Sequence, residues 1–154
     1  MRRYEVIFPL GVPIGEIMAE ILFYEKPGCI NGEKQKTILE KAGNSVKCIN
    51  ILTFAWSASA LLPFVAGREP IEIMNYTAPA IKNGEIKPDQ LNFNEALSLM
   101  INNPILIKRP LIHVDGHNIQ GFTSTALKPY LGDWDNSEDV ITCPKLQTKP
   151  CDNI

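Results

Sequence analysis

The hydrophobic pattern in the first third of the chain predicts a β-α-β unit. Residues 20–24 predict a short buried strand, because residues 21–24 form an apolar run. Residues 30–42 follow with the spacing of an amphipathic helix that ends at Gly43, a residue suited to a helix C-terminus. Residues 46–52 are again rich in apolar side chains and predict a second strand, parallel to the first. The inner face of the helix is expected to carry Ile30, Ile38, Leu39 and Ala42.

The middle of the chain predicts a block of small helices. Residues 58–66 form the first of them, because Ser57 directly before them suits the N-cap position. Residues 70–75 predict a short helix that begins with proline, and residues 78–84 predict a helical turn. Residues 93–101 have the spacing of a helix with one apolar face. We interpret this block as a helical insert between two halves of a sheet.

Two β-rich runs, residues 104–107 and 111–114, surround a proline that the interior of a regular strand does not accommodate. Pro110 therefore demands an edge or a bend, and a cis peptide bond before it is the expected solution. Asp115 and Gly116 then separate the second of these runs from a third, which is a strong hairpin signal. A final helix is expected after Ser124, which can act as its N-cap.

The resulting order is β-α-β, helical insert, β-β-α, which is the order of the thioredoxin-like fold. It predicts an α/β domain with a mixed four-stranded sheet over residues 18–132. Residues 133–154 have the pattern of a flexible, cysteine-containing tail. Residues 1–17 are interrupted by prolines and glycines, and we expect a non-native or disordered extension ahead of a natural start at Met18.

Composition and charge narrow the classes of function. The chain has 154 residues, of which 45% are hydrophobic and 21% charged, as expected for one globular domain with a substantial core. Its 15 basic and 17 acidic residues give a net charge of −2, which favours neither nucleic acid nor an anionic membrane as a partner. No apolar run reaches the roughly 18 residues of a membrane span. No oligomeric state is predicted.

The cysteines favour a cytoplasmic protein with working thiols. The four of them are too few and too widely spaced for a small disulfide scaffold, and they form neither a CxxC pair nor a zinc-binding pattern. Cys48, in the middle of a predicted strand, is expected to be packed rather than reactive. The other three are Cys29, Cys143 and Cys151.

Cys29 is the strongest candidate for chemistry. A Pro-Gly loop places it between the first strand and the first turn of the following helix. The unpaired N–H groups and the positive end of the helix dipole stabilise a thiolate at such a position, and the thiolate is the reactive form of cysteine. The alternative interpretation is a small buried side chain, because most free cysteines are buried.

A metal site formed by His113 and His117 is a weaker hypothesis. The two histidines lie on either side of the predicted Asp-Gly turn and could face each other across it, but no third ligand is evident. Plain surface histidines are the simpler interpretation. No metal or bound cofactor is therefore predicted.

Two segments carry a family resemblance. Residues 27–31 read Pro-Gly-Cys-Ile-Asn, and residues 104–110 read Pro-Ile-Leu-Ile-Lys-Arg-Pro. The second segment is similar to the P-x-L-I-x-R-P block of the arsenate reductase and Spx-like branch of the thioredoxin-like fold. The first resembles the nitrogenase-associated subgroup of that branch, as do residues 63–64, 74–75, 78–82 and 96–100. The resemblance extends over about residues 18–151.

The resemblance implies roles for three residues. Cys29 matches the nucleophile of the arsenate reductases, which attacks the oxyanion and is recycled through glutathione and glutaredoxin as external reductants. Arg109 matches the arginine that helps to hold the anion. Pro110 matches the cis-proline beside it.

Three positions depart from the arsenate reductase pattern. The Thr/Ser-Arg element that follows the cysteine is replaced by residues 30–33, which bring the acidic Glu33 near the expected anion. Asn75 stands where a second arginine is expected, and a third arginine is missing near Gly121. Because arsenate carries several charges, a site needs several donors to bind it, and arsenate reduction is not expected here. Lys34 or Lys82 would be the cations available to compensate.

Two functions are consistent with these residues. The first is thiol-disulfide redox chemistry through Cys29 in the context of nitrogen fixation, with Cys143 or Cys151 as the resolving thiol. The second is a non-catalytic accessory or regulatory protein that binds a partner through the helical insert. The expected partner is accordingly a nitrogen-fixation protein or a redox protein.

Overall fold

The computed structural model describes residues 18–132, Trp134 and Val140. Its centre is a mixed four-stranded sheet in the order β2-β1-β3-β4, which confirms the predicted sheet. β1 is parallel to β2, whereas β3 is antiparallel to both β1 and β4. The strands are β1 (Glu20–Glu25), β2 (Ser45–Asn50), β3 (Leu111–Val114) and β4 (His117–Gln120). The predictions for residues 1–17 and for Cys143 and Cys151 lie outside the described residues.

β1 separates two hydrophobic clusters because its side chains alternate between the faces of the sheet. Ile21 and Phe23 point to the face covered by helix α1 (Ile30–Lys41), where they pack in one cluster with Leu39. Tyr24 points to the opposite face, which the helical insert covers. The sheet is therefore covered on both sides by different parts of the chain.

Helix α1 presents a more polar inner face than its sequence predicts. Ile30 is 38% exposed, so its assignment to the inner face is wrong. Asn31 and Gln35 are buried instead. The apolar contact with the sheet is made by Ile38 and Leu39, about two turns after Ile30. The first turns of α1 therefore face polar surroundings rather than the core.

The insert contains the predicted helices, of which the first three are shorter than predicted and the last is one residue longer. Ser57 caps α2 by accepting a hydrogen bond from the Ala60 N–H, and Asn92 and Glu95 form a reciprocal capping box at the start of α5. In the described part of the chain, no helix has both the length and the apolar character needed to cross a membrane. The helices are α2 (Ala58–Val65), α3 (Pro70–Ile73), α4 (Pro79–Lys82) and α5 (Phe93–Asn102).

Two segments form a different type of secondary structure from the one predicted. Residues 104–107 are not a strand: Pro104–Leu106 form a 3-10 turn, and Ile107 makes only an isolated bridge to Met74. The turn forms because the Leu106 N–H bonds back to the Asn103 carbonyl rather than to a neighbouring strand. The final helix, Thr125–Tyr130, is 3-10 rather than α, and Pro129 inside it disfavours a continued α-helix.

Tyr130 joins this final helix to the β3–β4 hairpin. Its hydroxyl donates a hydrogen bond of 2.8 Å to the Asp115 carboxylate at the turn. Burial, together with this bond, raises the pKa of Tyr130 to about 12. The neutral phenol therefore stabilises the fold below the ordinary tyrosine pKa, and this contribution is lost as the pH rises through about 12.

We expect Tyr130→Phe to lower the free energy of unfolding by about 1–2 kcal/mol at pH 7, because it removes a hydrogen bond to a charged group. The difference from the wild type should shrink between pH 10 and pH 12, as the wild-type phenol ionises. Urea unfolding at several pH values measures both effects. Tyr76→Phe is the matched control, because Tyr76 is 60% exposed. A difference that stays constant up to pH 12 would contradict this account.

Candidate active site

A pocket of about 110 Å³ lies at the end of the sheet where β1 ends and β3 begins. Its walls come from the β1–α1 loop, the first turns of α1, the insert around Asn75, and the segment before β3. Cys29 and Arg109 both line it, together with Pro110. The structure therefore brings together the three residues that the sequence assigned to the site in this part of the chain.

The β1–α1 loop places Cys29 at the N-cap of α1. The Cys29 N–H donates to the Lys26 carbonyl at 3.2 Å, and the Cys29 carbonyl accepts the Glu33 N–H at 3.1 Å, which starts the helix. Gly28 before it has φ +84°, a conformation that favours glycine. Cys29 is partly exposed, so a reactant can reach its sulfur. The position is the one at which a helix terminus stabilises a thiolate.

Arg109 enters the pocket from the segment before β3. The peptide bond between Arg109 and Pro110 is cis. The Arg109 Nη1 atom is buried and has no hydrogen-bond partner among the described residues. A buried guanidinium nitrogen without a partner is a donor that a bound anion or a thiolate can use.

A buried glutamine holds this segment in place. The Gln120 side-chain amide donates to the Lys108 carbonyl at 2.9 Å and to the Ile73 carbonyl at 3.0 Å. Arg68 in turn donates to the Gln120 side-chain oxygen at 2.8 Å. Sequence reasoning missed both residues, since a polar residue at the end of a short strand carries no recognisable signal.

Asn75 organises the opposite wall. Its side-chain oxygen accepts hydrogen bonds from the Thr77 N–H at 3.0 Å and the Thr77 hydroxyl at 2.7 Å. Its side-chain amide donates to the Ile105 carbonyl at 3.1 Å. The residue in the place of a second arginine is thus neutral, and its hydrogen bonds hold the wall rather than point a charge into the pocket.

The charges of the pocket differ from those expected. Glu33 does not line it, because its side chain is 62% exposed and pairs with Lys36 at 2.7 Å. Neither Lys34 nor Lys82 lines the pocket either. The lining charges are those of Lys26, Lys108, Arg109 and Glu25, of which sequence reasoning found only Arg109. Polar residues at the end of an apolar run look like loop residues, although Glu25 and Lys26 are buried.

Glu25 lies between the pocket and β2. Its Oε2 atom pairs with Lys36 at 3.0 Å. Burial lowers the pKa of Lys36, but the hydrogen bonds to Glu33 and Glu25 outweigh burial and raise it above its ordinary value. Lys36 therefore remains charged at neutral pH.

Cys48 on β2 interacts with both members of the same ion pair. The prediction that this residue is packed is wrong: β2 is an edge strand, and Cys48 is exposed. Partial burial of its thiol and the adjacent Glu25 raise the pKa of Cys48, although Lys36 opposes the shift. At neutral pH Cys48 is therefore a protonated, weakly nucleophilic thiol.

The two histidines do not face each other. Strand register pairs His113 with Asn118 and His117 with Val114. The His113 Nδ1 and Asn118 Oδ1 atoms are hydrogen-bonded at 2.7 Å. The described part of the chain contains no cluster of three or more side chains suited to holding a metal ion.

Comparison with known proteins identifies the family. The model of the ArsC family matches residues 24–128, a range that contains Cys29 and Arg109. The chain belongs to the ArsC family. A relative from Rhodospirillum rubrum, named "Uncharacterized 15.7 kDa protein in draG 3'region", is 36% identical over 132 residues, which are 85% of this chain and 92% of the relative.

Solved structures of this family have the same fold. Arsenate reductase from Vibrio cholerae is 21% identical, with a TM-score of 0.60 over 73% of this chain and 98% of its own. A possible arsenate reductase from Streptococcus mutans is 26% identical, with a TM-score of 0.60 over 72% of this chain and 98% of its own. The thioredoxin-like fold predicted from the order of elements is thereby confirmed.

We expect Arg109→Gln to slow the alkylation of Cys29 by iodoacetamide at pH 7 by about threefold to tenfold. Both residues line the same pocket, and a unit positive charge about 4 Å from a thiolate in water is worth about 1 kcal/mol. Mass spectrometry of the Cys29 peptide separates its rate from those of the other thiols. Lys82→Gln is the control, because it removes an exposed positive charge outside the pocket. Equal rates in the Arg109 variant and the wild type would contradict the assigned role.

Proposed function

We propose that this protein is a thiol-dependent oxidoreductase that uses Cys29 as its nucleophile. The observation that carries the proposal is one pocket in which Cys29, at the N-terminus of α1, shares the space with Arg109. The helix N-terminus and the guanidinium both bring positive charge to this pocket. The pocket is open to a small or extended substrate, because Cys29 is partly exposed.

The reaction we propose is disulfide exchange. The Cys29 thiolate attacks one sulfur of a substrate disulfide, the new S–S bond forms as the old one breaks, and the second sulfur leaves as a thiolate. A second thiol then attacks the mixed disulfide and releases the other half of the substrate as a thiol. The substrate gains two electrons, and Cys29 and the second thiol become a disulfide.

The second thiol is proposed to come from the C-terminal segment. Gln35 lines the pocket. Its side-chain amide donates a hydrogen bond of 2.7 Å to the Val140 carbonyl. Val140 is only 1% exposed. Cys143 follows three residues later, and three extended residues span at most about 10 Å. This anchor supports Cys143 as the resolving thiol over the more distant Cys151, and external reductants of the glutathione or glutaredoxin class would then recycle the protein.

Arsenate is a second candidate substrate, because the similar structures from V. cholerae and S. mutans carry that activity in their names. Lys26, Lys108 and Arg109 supply positive charge to the pocket, but the Glu25 carboxylate also lines it. A multiply charged oxyanion would lie beside that carboxylate, which disfavours its binding. A disulfide carries no such charge, and we therefore propose disulfides as the substrate class.

We further propose that the protein acts in the cytoplasm of nitrogen-fixing cells. Two observations support this context. Residues 27–31, 74–75 and 78–82 resemble those of nitrogenase-associated proteins, and the R. rubrum relative is named for the draG 3' region. Its partner would accordingly be a nitrogen-fixation protein or a redox protein.

A non-catalytic role is the alternative, and the exposed apolar side chains of the insert favour it. Leu62, Ile71 and Tyr76 are 40%, 66% and 60% exposed. An accessory protein would bind its partner through these side chains and would tolerate the loss of Cys29. Binding and catalysis therefore make opposite predictions for the same cysteine variant.

The test compares Cys29→Ser with Cys48→Ser in a disulfide reduction assay with glutathione as the reductant. We expect the Cys29 variant to lose all activity and the Cys48 variant to retain it, because only Cys29 lines the pocket among the described cysteines. Arsenate replaces the disulfide in a parallel assay. Full activity of the Cys29 variant with both substrates would exclude the proposed enzyme.

The resolving thiol has its own test. We expect Cys143→Ser to accumulate a mixed disulfide between Cys29 and the substrate, because the second attack is missing. Cys151→Ser should turn over like the wild type. Intact mass after quenching with acid measures the adduct. Accumulation in the Cys151 variant, and not in the Cys143 variant, would reverse the assignment.

A further inference from the structure

The pocket contains one buried carboxylate oxygen that its ion pair does not use. Glu25 is 7% exposed, and its Oε2 atom pairs with Lys36 at 3.0 Å. Its Oε1 atom is buried and has no hydrogen-bond partner among the described residues. Buried carboxylate oxygens are normally hydrogen-bonded, so this one calls for an explanation.

This oxygen lies close to Cys29. A methyl group built on Gly32 would be 3.3 Å from Glu25 Oε1 and 3.6 Å from Cys29 Cβ. The carboxylate and the cysteine therefore flank the same glycine, in the first turn of α1. The two distances start from one point, so the oxygen lies within about 7 Å of Cys29 Cβ. A proton can pass between the thiol and the carboxylate over such a gap through one water molecule.

We propose that Glu25 is the proton-transfer residue for Cys29, an inference that rests on the proposed disulfide exchange. The carboxylate accepts the Cys29 proton, which gives the thiolate that attacks the substrate disulfide. The same proton then passes to the departing thiolate, which is released as a neutral thiol. One S–S bond forms, one breaks, and the proton moves from Cys29 through Glu25 to the product.

The surroundings of Glu25 suit this role. Lys36 on α1 binds Oε2 of the Glu25 carboxylate. Oε1 stays without a hydrogen bond to any described residue. Lys26, Lys108 and Arg109 line the same pocket, and the Cys48 thiol lies beside the carboxylate on β2. Gly32 is the residue that leaves the space between donor and acceptor open.

The role makes a prediction that depends on the leaving group. A thiolate of low basicity leaves without a proton, whereas a basic alkyl thiolate leaves much faster when it is protonated. The probes are two uncharged disulfides, 4,4'-dithiodipyridine with a weakly basic leaving group and bis(2-hydroxyethyl) disulfide with a basic one. Both are reacted with the full chain, in which Cys48, Cys143 and Cys151 are serine.

We expect Glu25→Gln to slow the reaction with the alkyl disulfide by about 100-fold, the lower range for a lost general acid-base group. The reaction with the dipyridyl disulfide should change less than about threefold. Glu33→Gln is the matched control, because Glu33 binds the same lysine but its side chain is 62% exposed and lies outside the pocket. It should leave both rates unchanged.

Gly32→Ala provides a second variant in case Glu25→Gln lowers stability. Alanine is preferred over glycine inside a helix, but its methyl group would lie 3.3 Å from Glu25 Oε1, so the carboxylate has to shift slightly. The thermal midpoint of this variant is therefore measured first. Its methyl group separates the carboxylate from Cys29 and should slow only the alkyl disulfide. Equal slowing with both probes, or faster reaction with both, in either folded variant would overturn the role of Glu25. If the protein that keeps Cys29, Glu25 and Gly32 reacts with neither probe, the proposed disulfide exchange itself is overturned.

Discussion

The antiparallel pairing of β1 with β3 is the constraint on which the site depends. Tyr24 near the end of β1 lies opposite Leu111 at the start of β3. The chain that leaves β1 and the chain that enters β3 therefore meet at one end of the sheet. Cys29 lies in the first of these segments and Arg109 in the second, so a separation of 80 residues in sequence becomes a shared pocket.

The other walls follow from the same pairing. β3 starts beside the end of β1, so the residues just before β3 run along the insert. There the Lys108 N–H donates a hydrogen bond to the Ile73 carbonyl. The Gln120 side chain on β4 adds hydrogen bonds to the Lys108 and Ile73 carbonyls, and Arg68 donates in turn to Gln120. The segment before β3 is thus held by a backbone hydrogen bond and by two polar side chains, while Arg109 and Lys108 line the pocket.

The sequence predicted the features that depend on local pattern and chain order. The strands, the capped helices and the Asp-Gly hairpin each have a signal a few residues long, and the right-handed β-α-β rule assembles the first three elements. Cys29 could be found because a loop and a helix start define its place. Cys48 was misjudged because its exposure depends on β2 being at the sheet edge, which alternation within one strand does not reveal.

For a related reason, the sequence could not predict three buried polar residues at the site, Glu25, Gln35 and Gln120. Each is a polar residue whose burial depends on segments far away in sequence, and hydropathy assigns such residues to the surface. Gln35 adds one consequence. Its amide binds a backbone carbonyl at position 140, so this attachment does not depend on which side chain stands there. The side chains of that segment can therefore differ among relatives without loss of this hydrogen bond. The quantity to compare among relatives is the number of residues between the attached carbonyl and Cys143.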